Sequence, residues 1–383
     1  MRYAAGYSSI PDAYRAGQDV ANQIMKAAPE LVVLFCSNHY FEQASELAAA
    51  MKDTLGGNVL CCGCTGDGVY WSGGAANLGV VALGIHSEGQ SKWAATLARG
   101  LGPQSATTAR QAAERLREQL GVEPTFSLVF ADGCQADGAR LVEGLGQVLR
   151  GPCLGGLAAD DRKFIRSAVF LGDEVAQDAL ILIGASGGVP FGVSAASGWS
   201  PMGERGTVTS AVGTKVLRVD DKPANTFIRD QIGQAVRSMD LGIVPLAEYP
   251  DPAGDRYVLR TSSAVDEATG EVALFGRIPE GSIVRVCRAT MGEIVDGVDT
   301  ALSEASRSGF KPAAALLISC AGRRWLLTEA GSEEVARVRQ RLGDIPLIGL
   351  PSFGEIAPFR RSDGNYSPTL FHNVTFVACL LGS

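Results

Sequence analysis

Histidine is scarce in this sequence, which has three histidines in 383 residues. Any imidazole chemistry must therefore use His39, His86 or His372. Long apolar segments are missing as well, because no stretch reaches the ~18–20 uncharged apolar residues of a membrane span. The N-terminus lacks the apolar core of a signal peptide. We therefore expect neither export nor membrane insertion.

An excess of basic residues is also absent. The chain has 34 Lys and Arg against 41 Asp and Glu, a formal net charge of −7. An acidic chain repels nucleic acid and anionic lipid at long range, so neither is expected as a partner. The composition, 46% hydrophobic with 47 glycines, is that of a globular protein. The length suits two domains or one large domain.

The nine cysteines are an odd number, and most lie in apolar runs, which predicts reduced, buried thiols in a cytoplasmic protein. The segment Cys61-Cys62-Gly63-Cys64 contains the spacing of a redox pair or of half a zinc site. No second pair of this spacing and no histidine at finger spacing completes four zinc ligands. Packing is therefore the favoured interpretation, with redox chemistry as the alternative.

One pattern of a buried strand, a helix and a second strand ending in glycine occurs three times. Two such copies in different halves of the chain predict an α/β protein with mixed sheets and two related domains, 1–205 and 206–383. Stretches rich in Val, Ile, Leu and Thr between the copies predict antiparallel strands. The strand pairs of the copies are residues 31–36 and 59–62, 126–131 and 152–156, and 314–320 and 345–349.

The glycine-rich ends of the second strands are candidates for a ligand site, because open α/β sheets bind ligands at strand ends. None matches a dinucleotide or phosphate-loop motif. Tight turns without a ligand are an equally good interpretation. The candidate ligand-binding residues at these ends are Thr65, Asp67, Gly155, Gly156, Ser352 and Glu355.

His39 follows a buried strand at the start of a predicted helix, beside Tyr40 and Phe41. This setting suits a histidine that ligates haem iron, although a capping or solvent-facing imidazole is the alternative. Arg323 and Arg324 could clamp a carboxylate or a haem propionate. They are equally consistent with a solvated helix.

Several of these segments, taken in order, resemble the FIST sensory proteins across nearly the whole chain. The N-terminal FIST pattern is matched by residues 31–36, 63–68, 130–133, 155–158 and 198–203, and the C-terminal pattern by residues 279–282, 319–323, 354–358 and 371–375. The resemblance implies two signal-input domains that bind a small ligand and report it to a separate output protein. Amino acids are a ligand class suggested for such proteins.

The chain is similar to stand-alone FIST proteins that bind haem b and sense nitric oxide. The resemblance implies a non-enzymatic cytoplasmic sensor that regulates a histidine kinase or a cyclic-di-GMP enzyme by contact, and His39 is the histidine we select as the metal ligand. A homodimer is compatible with this interpretation. One alternative is a FIST sensor of an amino acid without haem. The other is a cysteine-dependent redox or transfer enzyme using Cys64 or Cys61.

Overall fold

One order of elements occurs three times in the computed structural model, which describes residues 1–233, 243–307, 309–327 and 331–383. Each unit runs strand, helix, strand, helix, strand, then a hairpin and a closing strand. In the third unit, two consecutive helices stand where the other units have their second helix. The predicted α/β architecture of repeated strand–helix–strand units in mixed sheets is confirmed.

The first unit shows how local sequence sets these elements. Its first helix begins after Asp12, whose carboxylate accepts a 2.9 Å hydrogen bond from the backbone N–H of Arg15. Its second strand is buried along its whole length, as its continuous apolar run predicts. The unit contains β1 (Arg2–Ser8), α1 (Ala13–Ile24), β2 (Leu31–Ser37), α2 (Ala44–Leu55), β3 (Leu60–Gly66), β4 (Val69–Trp71), β5 (Gly74–Ala76) and β6 (Val80–His86), with 3-10 helices at Met25–Ala27 and Asn38–Gln43.

The second unit repeats this order without a break. Its second helix begins after Asp137, whose side chain accepts from the backbone N–H of Arg140 at 3.0 Å. The unit contains β7 (Ser91–Arg99), α3 (Ser105–Leu120), β8 (Phe126–Ala131), α4 (Gly138–Val148), β9 (Cys153–Leu157), β10 (Val169–Leu171), β11 (Glu174–Ala176) and β12 (Ala179–Gly187).

The third unit is interrupted after its first strand by an inserted antiparallel sheet. The inserted sheet contains β14 (Ser200–Val212), β15 (Lys215–Val219), β16 (Lys222–Pro223), α5 (Ala224–Ile232), β17 (Leu246–Glu248), β18 (Val258–Arg260), β19 (Ser262–Val265), β20 (Val272–Leu274) and β21 (Ile283–Arg288). The unit itself contains β13 (Phe191–Ala196), α6 (Met291–Ser306), β22 (Pro312–Cys320), α7 (Ala321–Leu327), α8 (Gly331–Leu342), β23 (Leu347–Ser352), β24 (Glu355–Arg360), β25 (Tyr366–His372) and β26 (Phe376–Gly382).

The three units interlock because each gives its hairpin to the sheet of another unit. The three main sheets have the strand orders β1-β6-β2-β3-β10-β11, β7-β12-β8-β9-β24-β25 and β13-β26-β22-β23-β4-β5. The hairpin of the second unit thus extends the first sheet, that of the third extends the second, and that of the first extends the third. Strands from both sides of residue 205 share sheets, so the two predicted domains interlock, and the boundary at 205/206 stays a prediction.

A glycine occupies the same place in the parallel strand pair of every unit. Gly63 lies opposite Leu34, Gly155 opposite Val129 and Gly349 opposite Leu317. A Cβ atom on Gly63 would lie 1.6 Å from the carbonyl oxygen of Leu34, which no native packing tolerates. The close approach of neighbouring strands therefore requires glycine at Gly63 and Gly155, where a Cβ would lie 1.6 and 1.8 Å from a carbonyl oxygen.

The inserted sheet is tied to the third unit by buried contacts. Arg260, in β18, is 6% exposed and donates from Nη1 to the carbonyl oxygen of Phe371 in β25 at 2.8 Å. The backbone N–H of Asn373 donates to the carbonyl oxygen of Leu259. The insertion therefore packs on the last strands of the chain. In the part of the chain that the structure describes, none of the helices combines the length and the apolar character needed to cross a membrane.

Candidate functional site

The glycine-rich ends of β3, β9 and β23 converge in a ring of backbone hydrogen bonds. The N–H of Asp67 donates to Pro351, that of Ala159 to Thr65, and that of Leu157 to Gly354. Each unit thus joins its strand end to the next one. The sequence predicted candidate ligand residues at these ends, and the topology brings the ends together.

A cavity of about 480 Å³ opens beside this ring. Three parts of the chain form it: the loop after β9, the inserted sheet, and the strand ends of the third unit. A cavity of this size accommodates a small organic molecule. Its lining consists of Arg162, Phe164, Thr261, Ser262, Ser263, Phe275, Cys320, Ala321, Gly322, Trp325, Ser352, Phe353, Asn373 and Val374.

Aromatic rings form one wall of the cavity. Phe164 stacks on Phe353 with ring centroids 4.3 Å apart and on Phe275 with centroids 5.4 Å apart. Trp325 is half exposed at the cavity. Each of the three stacked phenylalanines comes from a different part of the fold, so this wall joins the loop, the inserted sheet and the third unit. Flat aromatic faces suit a planar ligand.

Two hydroxyl groups in the lining lack a hydrogen-bond partner. Thr261 and Ser262 are 7% and 4% exposed, and neither Oγ1 of Thr261 nor Oγ of Ser262 bonds to any group in the described part of the chain. Leaving a buried hydroxyl unsatisfied costs roughly 1–3 kcal/mol, so such groups call for an explanation. Both oxygens are themselves buried, so a ligand in the cavity reaches them only if the two side chains turn towards it.

An ion pair stands at the edge of the cavity. The Nε atom of Arg162 lies 3.1 Å from the carboxylate of Asp67. Burial raises the pKa of Asp67, while Arg162 and Arg324 oppose that shift and Asp161 and Asp160 add to it. The Arg162 side chain is 44% exposed, so part of its guanidinium group is accessible to a ligand anion.

Cys320, Ser352 and Glu355 form a polar cluster behind the cavity. The Ser352 hydroxyl donates to the Glu355 carboxylate at 3.0 Å, and the backbone N–H of Thr375 donates to its other oxygen at 3.0 Å. Burial raises the pKa of Glu355 to about 8, against the opposing effects of these hydrogen bonds and of Arg323. Burial and the neighbouring carboxylate raise the pKa of Cys320 as well.

The positions equivalent to Cys320 in the other units have structural partners. In each unit one residue of the neighbouring parallel strand lies opposite the strand glycine, and Cys320 comes three residues after that residue in the third unit. The residues at the same place in the first and second units are Ser37 and Asp132. Ser37 Oγ accepts from the N–H of Gly79, and the Asp132 carboxylate accepts from the Ser167 hydroxyl and the N–H of Asp178. Of these three equivalent side chains, Cys320 alone contributes to the cavity lining.

The predicted ligand residues divide into two groups. Ser352 lines the cavity, Glu355 lies behind it, and Asp67 reaches its edge through Arg162. Thr65, Gly155 and Gly156 do not line it. Thr65 Oγ1 accepts from the N–H of Ala168, and a Cβ on Gly155 would lie 1.8 Å from the oxygen of Val129. For these residues the structure shows strand packing.

The residues predicted to hold haem do not form one site. His39 is exposed, and its Nε2 atom lies 3.2 Å from the carbonyl oxygen of Pro11. Tyr40 is buried and donates to Ile10, while Phe41 packs under the Arg166 guanidinium. None of the three lines the cavity beside the strand-end ring.

The two arginines predicted to bind a haem propionate form hydrogen bonds and ion pairs with other residues of the protein. Arg323 is fully buried and pairs with Glu334 at 2.7 Å, and Arg324 donates to the oxygens of Asp67 and Asn77. His39, Arg323 and Arg324 thus each contact other groups of the protein, and their role in holding haem stays a prediction. The described residues also show no group of three or more His, Cys, Asp or Glu side chains arranged to hold a metal ion.

The Cys61–Cys64 segment lies within β3, which extends to Gly66, beyond the predicted strand 59–62. Cys61, Cys62 and Cys64 are buried free thiols. Burial raises the pKa of Cys61 to about 12 and that of Cys62 and Cys64 well above the usual value. The packing interpretation is confirmed. The same burial disfavours a thiolate at Cys61 or Cys64.

Apart from Ser352, the sequence analysis did not select the residues that line the cavity. Cys320 could have been found, since it ends the first parallel strand of the third unit, and Asp132 directly follows the corresponding strand of the second unit. The hydroxyl run at residues 261–263 belongs to the inserted sheet, and no local pattern indicates that it faces the strand ends of another unit. The same holds for Phe164 and Phe275.

Comparison with known proteins gives two family matches. The model described as the FIST N domain matches residues 30–222, and the FIST C domain model matches residues 218–358. Two uncharacterized proteins are similar over nearly their whole length. One, from Mycobacterium tuberculosis (strain H37Rv), is 24% identical over 383 residues, covering 94% of this chain and 95% of its own. The other, from Mycobacterium bovis, is 23% identical over 380 residues, covering 94% of each chain.

Two solved structures are also similar, at low scores. A cyanuric acid hydrolase from A. caulinodans aligns over 100% of both chains with 11% identity and a TM-score of 0.32. A chorismatase aligns over 99% of this chain and 98% of its own with 10% identity and a TM-score of 0.36.

Proposed function

Because this chain belongs to the FIST family, whose domains suggest small-ligand sensing, we propose that it is a cytoplasmic sensor that binds its ligand in the cavity beside Cys320. The observation that carries the proposal is the pair of buried, unpartnered hydroxyls of Thr261 and Ser262 in an aromatic-lined cavity. A protein retains such a pair at a cost to its own stability, and a bound acceptor group removes that cost.

The lining indicates the chemistry of the ligand. A planar apolar part would stack on the rings of Phe164 and Phe353, and an acceptor oxygen would meet the free hydroxyls. A carboxylate could reach the exposed part of Arg162. Within the amino-acid class that the family resemblance implies, an aromatic amino acid or a related aromatic acid fits best.

The loop after β9 is suited to report occupancy. Asp161, Arg162 and Phe164 have positive φ angles of 57°, 61° and 54°, which residues other than glycine rarely adopt. The buried Asp160 carboxylate holds the loop by accepting the N–H groups of Phe164, Ile165 and Arg166. Ile165 is 71% exposed beside Phe164. A ligand that moves Phe164 would therefore change an exposed surface.

Thr261→Val is the sharpest test of the cavity. We expect the variant to keep or slightly exceed the wild-type melting temperature, because the removed hydroxyl has no partner in the protein. We expect its affinity for an aromatic acid to fall by about tenfold, which corresponds to ~1.4 kcal/mol for one lost hydrogen bond. Calorimetric titration with phenylalanine, tryptophan and cinnamate measures this difference.

The control for this test is Thr209→Val, a substitution of the same kind in the inserted sheet but outside the cavity. Thr209 Oγ1 accepts from the N–H of Asp221, so this variant should lose a little stability and no affinity. If a ligand binds Thr261→Val and wild type with equal affinity, that ligand binds elsewhere than at the Thr261 hydroxyl.

The narrower proposal, in which haem b is the cofactor, nitric oxide the signal and a histidine kinase or cyclic-di-GMP enzyme the output partner, rests on the family resemblance. Haem binding by this chain would require His39 as the ligand of the iron. His372 is fully buried with Nε2 on the carbonyl oxygen of Ala357, and burial lowers its pKa to about 4. His86 lies 3.3 Å from the Glu30 carboxylate.

Titration with hemin tests the haem form. Because no imidazole lines the cavity, we expect no Soret band that depends on one histidine. Absorption spectra of wild type, His39→Ala and His86→Ala measure this. A band that His39→Ala abolishes and His86→Ala retains would instead establish haem ligation by His39.

A further inference from the structure

A second cavity, of about 230 Å³, lies between the third unit and the inserted sheet. It shares no lining residue with the cavity beside Cys320. Its walls come from β13, α6, β24, the end of β25, and the segment that leads into β18. Pockets of ~300–1,000 Å³ hold drug-sized molecules, so this space suits a smaller ligand.

His372 presents a ring nitrogen without a partner to this second cavity. The residue is 1% exposed, and its Nε2 atom lies 2.9 Å from the carbonyl oxygen of Ala357. A carbonyl oxygen can only accept, so Nε2 carries the proton and Nδ1 is left as an acceptor. No group of the described residues hydrogen-bonds Nδ1, and this atom is not among the unpartnered atoms that are shielded from solvent. Because His372 lines the cavity, Nδ1 is open to a ligand there.

Glu304, on α6, adds a carboxylate to the same cavity. Its side chain is 16% exposed, and its Oε2 atom accepts a 2.6 Å hydrogen bond from the Ser194 hydroxyl. Its Oε1 atom lies 3.5 Å from Nη2 of Arg256, whose side chain is 45% exposed. That separation is longer than the ~2.7–2.9 Å of a charge-assisted hydrogen bond, so Oε1 can still accept from a ligand.

Phe359 connects these groups into one site. Its ring stands edge-to-face to the His372 ring, with centroids 5.2 Å apart. The guanidinium carbon of Arg256 lies 5.2 Å from the centre of the same phenyl ring, and Arg256 is in turn the ion-pair partner of Glu304. The imidazole and the carboxylate are therefore linked by direct side-chain contacts along one wall of the cavity.

The charge of the lining favours a cationic ligand. The lining contains the carboxylates of Asp255 and Glu304 and a single arginine, a formal sum of −1. His372 stays neutral near pH 7, because burial lowers its pKa to about 4. Arg260, whose charge also opposes protonation of His372, is paired with Glu248 at 2.8 Å. An ammonium group carries only donors, so it matches a site that offers an imidazole lone pair and a carboxylate.

We propose that this second cavity binds a small primary amine, whose ammonium group donates to His372 Nδ1 while Glu304 supplies the balancing charge. The inference goes beyond the proposed function and does not depend on it, because the two cavities have no lining residue in common. They are nevertheless neighbours. His372 and Thr375 line the second cavity, and Asn373 and Val374 between them line the first. A bound amine therefore contacts a segment that also forms a wall of the first cavity.

The test is an NMR titration of the full chain labelled with ¹⁵N-histidine, in which three histidines give three imidazole signals. We expect ethylamine at pH 7 to shift the Nδ1 resonance of His372 in a saturable way and to leave those of His39 and His86 unchanged. Ethanol, the neutral counterpart of ethylamine, should shift none of them. Alanine is ethylamine with an added carboxylate, and tighter binding of alanine would identify an amino acid, held also by Arg256, as the source of the ammonium group.

Glu304→Gln tests the carboxylate, because it keeps an acceptor oxygen for Ser194 and removes the charge. We expect its affinity for ethylamine to fall by about tenfold. Glu174→Gln is the matched control, since Glu174 pairs with Arg99 at 2.6 Å outside the cavity, and it should bind as wild type does. If neither amine shifts His372, or if Glu304→Gln binds ethylamine as tightly as wild type, the inference is wrong. Should Glu304→Gln not fold, the titration of wild type still decides, because it reports the contact at Nδ1 itself.

Discussion

Glu334→Ala is expected to lower the free energy of unfolding by about 3–5 kcal/mol, because it leaves the buried charge of Arg323 without its partner. Glu334 and Arg323 are both fully buried, with Nε and Nη2 of the arginine 2.9 and 2.7 Å from Oε1. The other carboxylate oxygen accepts from the hydroxyls of Tyr70 and Ser319, each at 2.9 Å. Urea unfolding followed by circular dichroism measures the change.

The neighbouring residue provides the control. Glu333 lies on the same helix, is about half exposed and stands 4.0 Å from Arg337. Surface pairs of this kind contribute ~0–1 kcal/mol, so Glu333→Ala should change stability by less than about 0.5 kcal/mol. Similar losses in the two variants would mean that the Arg323–Glu334 pair does not anchor α7 and α8 to the third sheet. The contact of Tyr70 with Glu334 also makes this pair a link between the first and third units.

Gly63→Ala should have the second large effect. The added Cβ would lie 1.6 Å from the carbonyl oxygen and 2.6 Å from the carbonyl carbon of Leu34, so β2 and β3 would have to separate. Overpacking a core costs ~1–3 kcal/mol when side chains can adjust, and here the obstacle is backbone, so we expect a loss at or above that range. The midpoint of urea unfolding and the yield of folded protein measure it.

Gly146→Ala is the matched control for the glycine prediction. Gly146 is exposed in α4, and a Cβ there would meet no atom within 4 Å. Alanine is favoured over glycine inside a helix by ~0.5–1 kcal/mol, so this variant should be slightly more stable than wild type. If Gly63→Ala were as stable as wild type, the close approach of the parallel strands would not require glycine. The same reasoning applies to Gly155, whose Cβ would lie 1.8 Å from Val129.

The interlocked topology explains why the cavity depends on distant parts of the chain. Each hairpin belongs to one unit by sequence and to another by hydrogen bonding, so the strand ends of all three units are drawn into one ring. The inserted sheet closes over that ring from the third unit. A ligand there would contact three parts of the fold at once, which is a suitable place to convert binding into a change at the surface.

The sequence alone determined the repeated strand–helix–strand units, because buried strands appear as short continuous apolar runs and their ends as glycine turns. It also identified the cysteines of β3 as packing residues. Two of the long helices, α3 and α6, were not predicted. The buried face of α3 includes Ala109, Ala112 and Ala113, and alanine gives a weak apolar period. Packing against neighbouring elements fixes these helices.

Tertiary structure alone decided the site. The predicted strand-end residues Asp67, Ser352 and Glu355 do lie at or next to the cavity, because strand ends converge in any such sheet. By their side-chain chemistry His39 and Arg323 were equally suitable as ligand-binding residues. In the structure His39 lies at the surface and Arg323 forms a buried ion pair with Glu334. Which strand ends meet, and what covers them, follows from hairpin exchange and from an insertion within the third unit. These contacts join residues up to hundreds of positions apart, so no local pattern of residue types encodes them.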